Sequence, residues 1–294
     1  MDRRNFLSAT TQIGCGLLAA SMLGTTMVMA QTRGASTAAP AVSRFPSKAA
    51  GKSRVFITGS SDGLGFGAAK ALLTQGHQVV VHVRSQSRMT AVEELVKLGA
   101  VPTVGDLSDL AQIRDLANQV NAIGDMDAVI HNAGVMTGSH ILTVNVVAPY
   151  MLTALIKRPK RLIYLSSRMH TGGRAQLRGQ DWLGTSSSGS YADSKLFVTT
   201  LANAIARKWP NVLCNSVNPG WVPTKMGGAG APDDLRLGHL TQEWLATSND
   251  ATALTSGGYW YHQRREEPHA ATREVTLQDQ LLNELARVTG VALA

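Results

Sequence analysis

Residues 55–65 read Val55-Phe56-Ile57-Thr58-Gly59-Ser60-Ser61-Asp62-Gly63-Leu64-Gly65. Three apolar β-formers run into a turn with glycines at 59, 63 and 65, and a helical pattern follows from Phe66 to Leu73. The pattern predicts strand, tight turn and helix. Glycine lets backbone approach a phosphate closely, and a helix N-terminus offers unpaired N–H groups and partial positive charge, so the turn suits a dinucleotide pyrophosphate. The spacing is G-x-x-x-G-x-G and differs from the G-x-G-x-x-G of the Rossmann fingerprint. Taken alone, it fits a plain strand–turn–helix equally well.

Outward from this stretch, short apolar runs alternate with helical patterns, as expected of a mostly parallel sheet covered on both faces. Strands are predicted at 54–58, 78–83, 101–104, 128–131, 161–165 and 212–217, with a last strand and its approach within 255–262. Helices are predicted at 66–75, 89–98, 110–123, 141–156, 191–208 and 275–288. Leu110, Ile113, Leu116, Ala117 and Val120 show the i, i+3, i+4 spacing of a helix face. Thr58-Gly59, Arg84, Asp106, Asn132, Ser167 and Asn218-Pro219-Gly220 all fall at strand C-terminal ends. Ligands bind at that edge of an open parallel sheet. The charged run Arg264-Arg265-Glu266-Glu267 reads as a solvated face.

The chain has 294 residues, 44% hydrophobic and 16% charged, which fits one large globular α/β domain at 51–294. Its net charge is +8, but residues 1–52 carry six Lys/Arg against Asp2 alone and supply +5 of it. The basicity is thus mainly a leader property and does not indicate a nucleic-acid surface. Asp2-Arg3-Arg4-Asn5-Phe6-Leu7 precedes an uncharged run from Ile13 to Ala30. This start resembles a twin-arginine export signal, which implies a periplasmic protein with no membrane contact beyond the signal. An uncleaved leader, leaving the protein anchored or cytoplasmic, is the alternative. Residues 31–50, rich in Ala, Ser, Thr and Pro, read as a flexible linker. Cleavage would remove Cys15 and leave Cys214 as the single thiol, without an internal disulfide.

Tyr191-Ala192-Asp193-Ser194-Lys195 puts a phenol and an ammonium at i and i+4 on one helix face. A nearby lysine favours the phenolate and makes tyrosine usable as a general acid or base. With Thr58–Gly65, Asp106-Leu107, Asn132-Ala133-Gly134, Asn145, Ser166-Ser167 and Asn218-Pro219-Gly220, the set resembles the short-chain dehydrogenase/reductase family. The long serine-to-tyrosine segment is similar to the retinol-dehydrogenase-like branch. The resemblance implies a single doubly wound Rossmann-type domain of about seven strands and an NAD(P)-dependent oxidoreductase. It implies that Tyr191 transfers the proton, Lys195 lowers its pKa and holds the nicotinamide ribose, and Ser167 orients the substrate. Asn145 would support a water chain from Lys195. Ser166 is the alternative to Ser167.

The resemblance further assigns the cofactor to Gly59, Ser60, Ser61, Gly63, Leu64, Gly65, Arg84, Asp106, Leu107, Asn132, Ala133, Gly134, Tyr191, Lys195, Pro219, Gly220, Val222 and Thr224. Where an acid would bond the ribose 2′-hydroxyl of NAD, the sequence has Val83-Arg84-Ser85. A guanidinium suits a 2′-phosphate, so NADP is favoured and NAD is the less favoured alternative. Arg88 could reinforce that site. Trp221, Met226, Leu235, Leu240 and Trp244 suggest an apolar lid over about 220–245 and a hydrophobic carbonyl or alcohol substrate. His140, His170 and His239 lack ligand spacing and suggest no metal. The family's habit points to a possible homodimer or homotetramer. A non-catalytic NADP-binding regulator on the same fold is the alternative function.

Overall fold

The computed structural model describes residues 45, 46, 48–185 and 189–293. The expected export signal and most of the expected linker lie outside these residues. Eight strands form one sheet in the order β3-β2-β1-β4-β5-β6-β7-β8. They are β1 (Arg54–Ile57), β2 (Gln78–Val83), β3 (Val101–Val104), β4 (Ala128–His131), β5 (Arg161–Leu165), β6 (Leu213–Asn218), β7 (Tyr259–Tyr261) and β8 (Arg264–Glu266). All neighbours are parallel except β7 and β8. The sheet has one strand beyond the expected seven or so, and the added strand lies in the run 264–267, whose Arg264, Arg265 and Glu267 are exposed as expected. His262 and Gln263 both adopt left-handed backbone, at φ of 46° and 60°, and turn 264–266 back onto β7 as an antiparallel edge.

The inner strands are apolar at successive positions and buried on both faces, as the continuous runs require. One face packs on α1 (Gly63–Thr74), α2 (Glu93–Lys97) and α6 (Leu235–Thr247). The other packs on α3 (Leu110–Ile123), α4 (Ala148–Leu155), α5 (Tyr191–Lys208) and α7 (Val275–Thr289). On α3, Ile113, Leu116, Ala117, Val120 and Ile123 are buried, and Asp109 caps the N-terminus by accepting from the Ala111 and Gln112 amides. Expected helix 141–156 carries a π turn over Thr143–Val147 near its start, and expected helix 89–98 is divided between the end of a 3₁₀ segment, Gln86–Val92, and short α2.

The strand order reverses between β1 and β4, which opens a crevice beyond their C-terminal ends. Thr58 and Asn132 stitch it: the Asn132 amide group donates to Thr58 O at 2.9 Å and to Gly59 O at 3.2 Å, while Thr58 Oγ1 accepts from the Asn132 and Ala133 amides at 3.0 Å each. Half of the expected lid is part of the packed body instead. Helix α6 lies against α1, where His239 leaves no room for a Cβ at Gly67, and Trp244 packs edge-on to Trp260 at 5.2 Å. Among the described residues no helix is long and apolar enough to cross a membrane.

Candidate active site

A cleft of about 580 Å³ runs along the C-terminal strand edge from Arg84 and Asp106 to Tyr191 and Lys195. At one end lies the glycine turn. Gly59 has a φ of 67°, and a Cβ there would sit 2.9 Å from Ala133 Cα, so both conformation and space demand glycine. Gly63, at a φ of 52°, lies with Thr224 Cγ2 3.1 Å from its missing Cβ. The first turn of α1 begins here, and the first N–H groups of a helix have no acceptor inside it. Ser61, Leu64, Ala133, Gly134, Pro219 and Thr224 complete the lining, with Asp62 and Lys225 ion-paired across it.

Four expected cofactor residues lie behind this wall. Ser60 is fully buried, donating to Ile57 O at 2.5 Å and accepting from His82 N at 3.2 Å. Gly65 is glycine because Asn132 Nδ2 fills its Cβ position. Gly220, at a φ of 85°, is crowded by the Asp233 carboxylate, and buried Val222 packs on Gly238. Their role here is support of the turns.

His82 was not singled out by sequence, and it locks the glycine turn. Its Nδ1 accepts from the Gly59 amide at 3.0 Å, and its Nε2 lies 2.7 Å from Gly105 O. A carbonyl only accepts, so Nε2 carries the hydrogen and the ring is neutral. Burial pulls its pKa to about 4. The available signal is a lone polar residue in the apolar run Val79–Val83. At the rim, the exposed Arg84 guanidinium lies 3.9 Å from Asp106, whose other oxygen accepts from Ser108 N and Oγ. Leu107 is buried beside it.

The other end is built from β5 and α5. Ser166 is 2% exposed and committed to Thr199 Oγ1 at 2.6 Å. Ser167 follows in extended backbone as the cap of a 3₁₀ turn, Arg168–Gly172, with its hydroxyl beside the Tyr191 phenol. Ser190 caps α5 by accepting from the Asp193 amide, setting Tyr191 at the first position and Lys195 one turn later. Lys195 is 4% exposed, donates to Leu165 O at 2.8 Å and stands 5.4 Å from the Tyr191 ring centre. Burial pulls its pKa to about 8. Tyr191 departs from the sequence expectation. Burial raises its phenol pKa, and the opposing influence is Ser167 rather than the lysine, itself desolvated and seated against the ring.

Asn145 sits buried in the π turn with its amide spoken for. Its Oδ1 accepts from Val135 N at 2.8 Å, and its Nδ2 donates to Val135 O and Ser194 Oγ, both at 2.9 Å. It therefore ties the loop after β4 to α5. A Cβ on Gly134 would lie 3.3 Å from Asn145 Oδ1 and 3.4 Å from Lys195 Nζ, so that glycine admits both side chains. From the opposite wall, Met226 reaches within 3.9 Å of the Tyr191 hydroxyl, whereas Trp221 is 60% exposed.

A doubly wound sheet with this turn, crevice and Ser167/Tyr191/Lys195 cluster defines a dinucleotide-dependent oxidoreductase scaffold. The short chain dehydrogenase family model matches residues 53–158. An uncharacterized oxidoreductase of Emericella nidulans is 40% identical over 255 residues, covering 82% of this chain and 98% of that protein. A short-chain dehydrogenase of Gibberella zeae is 36% identical over 254 residues with the same coverage, 82% and 98%. Among solved structures, a blue fluorescent protein from a metagenomic library in complex with NADPH has a TM-score of 0.59 at 21% identity, covering 71% of this chain and 95% of that chain. The chain belongs to the short-chain dehydrogenase family.

Proposed function

We propose that this protein is an NADP-dependent oxidoreductase of the carbonyl reductase or alcohol dehydrogenase type, acting on a hydrophobic ketone, aldehyde or secondary alcohol. The observation that carries this reading is Tyr191 and Lys195 at one end of a cleft whose other end carries Arg84, with the Ser167 hydroxyl beside the Tyr191 phenol. The residues fit a dinucleotide. The glycine turn lacks Cβ atoms where a pyrophosphate needs close approach, Gly134 leaves room beside Lys195, and the cleft spans both halves. Ser61, Leu64, Thr224 and the first turn of α1 would hold the phosphates, Asp106 and Leu107 the adenine, Arg84 a 2′-phosphate, and Lys195 the nicotinamide ribose. Bound nicotinamide supplies the hydride, or accepts it in the oxidative direction.

Tyr191 gives its phenolic proton to the substrate oxygen on reduction and takes it back on oxidation. A phenol held protonated by burial suits the donating role. Ser167 Oγ orients that same oxygen, Asn145 holds the loop and α5 in register, and Lys195 supplies positive charge beneath the phenol. Met226 beside the hydroxyl supports an apolar substrate end. The NADPH complex of the metagenomic relative in fold supports NADP. The long interval from Ser167 to Tyr191 supports the retinol-dehydrogenase-like branch. The leader supports export by the twin-arginine route.

The test is a panel of aryl ketones, cyclic ketones, long-chain aldehydes and their alcohols, run with NADPH and NADH side by side. Turnover is expected with NADPH, and Tyr191→Phe is expected to lower kcat by about 10²–10⁴-fold. Tight NADPH binding without turnover of any panel member would leave a cofactor-binding regulator. Faster turnover with NADH would remove Arg84 from the cofactor site.

A further inference from the structure

We propose that His170 is the positioning residue that sets Ser167 for the reaction, holding the serine's own carbonyl from behind. The inference rests on the role given to Ser167 and Tyr191 above and adds a residue outside the cleft lining.

At the end of β5 the chain leaves the sheet at Ser166-Ser167 and enters the 3₁₀ turn. A serine in such a connection has a hydroxyl only as well aimed as its peptide planes. Ser167 O accepts twice from one residue, from His170 N at 3.0 Å and from His170 Nδ1 at 2.8 Å. The next peptide is held from the other side, where the Arg168 amide donates to Asn218 Oδ1 at 3.3 Å. The serine hydroxyl also accepts from Met169 N at 3.2 Å.

The imidazole is itself fixed. It is 1% exposed and packs on the Tyr259 ring at 4.6 Å. Its Nε2 accepts from the His269 backbone N–H at 2.9 Å. A backbone amide only donates and a carbonyl only accepts, so one tautomer satisfies both: hydrogen on Nδ1, none on Nε2. The ring thus spans from the segment after β8 to the carbonyl of the candidate catalytic serine. Burial also disfavours the doubly protonated ring, which would turn an N–H against the His269 amide.

The two halves of the ring can be separated by substitution in the full chain. Asn at 170 keeps an N–H donor near the place of Nδ1, and Gln keeps an acceptor near the place of Nε2. His170→Gln is expected to lower kcat about 10- to 100-fold, as small misplacements at a reacting centre do. NADPH affinity, read by fluorescence, should change less than about twofold. His170→Asn should recover most of kcat. In a Ser167→Ala background, His170→Gln should cost little more, because both act through one hydroxyl. Equal losses in the Asn and Gln variants that track melting temperature would overturn the proposal. So would undiminished loss in the Ser167→Ala background. If Ser167→Ala and Tyr191→Phe themselves leave turnover intact, the functional reading fails instead.

Discussion

At the cofactor end of the cleft, His82 takes the Gly59 amide on Nδ1 and gives Nε2–H to Gly105 O. At the reacting end, His170 gives Nδ1–H to Ser167 O and takes the His269 amide on Nε2. Both rings are buried, and each uses one nitrogen as donor and the other as acceptor. They differ in what they fix. His82 holds a turn whose shape glycine already permits, reaching it from the neighbouring strand. His170 holds a turn with a side chain to aim, and is anchored 99 residues further along. The cofactor end is therefore assembled mainly from neighbouring strands, and the reacting end from distant segments that must all be present.

Lys195 separates the two ends most sharply. It brings a buried ammonium to the reacting end, and burial pulls its pKa to about 8. Lys195→Met keeps the apolar stem and removes the charge. Turnover should fall by about 10²–10⁴-fold while the melting temperature at pH 7 holds or rises, since an ammonium with depressed pKa costs folding free energy. The sign also shows in pH. Between pH 8 and 10.5 the unfolded chain binds the Lys195 proton more tightly than the folded one, so this group's contribution to stability rises with pH across that window. The rise should vanish in the variant, as read from urea midpoints. A variant that loses stability with its activity would place Lys195 among the structural supports, alongside His82.

His82→Leu is the matching test at the other end. It leaves the Gly59 N–H and Gly105 C=O without their partner, which should cost about 2–4 kcal/mol. Ring neutrality adds a pH signature. His82 has an ordinary pKa of 6.5 unfolded and about 4 folded, so its stabilisation is complete above pH 6.5 and lost as pH falls toward 4. The acid limb of the unfolding curve should become shallower in His82→Leu. His131, pulled to about 3 by burial, keeps part of it. An unchanged acid limb would break the parallel between the two histidines.

What was legible in the sequence follows the same division. Six strands lie close to their expected places, and the central β1, β4 and β5 do so because parallel strands buried on both faces are largely apolar runs. Gly59, Gly63, Tyr191 and Lys195 were legible because φ, close approach and i, i+4 spacing are local. β8 was not, because its charged residues carry no strand period; the left-handed pair His262-Gln263 makes the hairpin. The packing of the second half of the expected lid is not legible, because apolar helix residues look alike whether they cover substrate or core. Trp244 chooses the core through Trp260. The roles of the two histidines are not legible because the partners that fix them are mainly backbone groups, which leave no mark in a sequence; the one side-chain partner, the Tyr259 hydroxyl 3.2 Å from His170 Nδ1, lies 89 residues away.

The smallest effect expected is at Lys225, which sharpens the comparison at the border of the two ends. Asp62 begins the α1 turn and accepts from the Gly63 amide at 2.8 Å, with its carboxylate at the cleft where the phosphates are proposed to bind. Lys225, next to Met226, pairs with it from the opposite wall and holds its pKa below the usual carboxylate value. The lysine side chain is 80% exposed, so the pair belongs among surface ion pairs worth about 0–1 kcal/mol. Lys225→Ala should raise the NADPH dissociation constant about two- to fivefold at low salt by leaving Asp62 to repel the phosphates. The effect should fade at high ionic strength, where a charge at this rim is screened. Adding Asp62→Asn should restore affinity, because the uncompensated charge goes with it. If affinity stays low in the double variant, Lys225 acts on the phosphates directly, and the wall carrying Met226 belongs to both ends of the cleft.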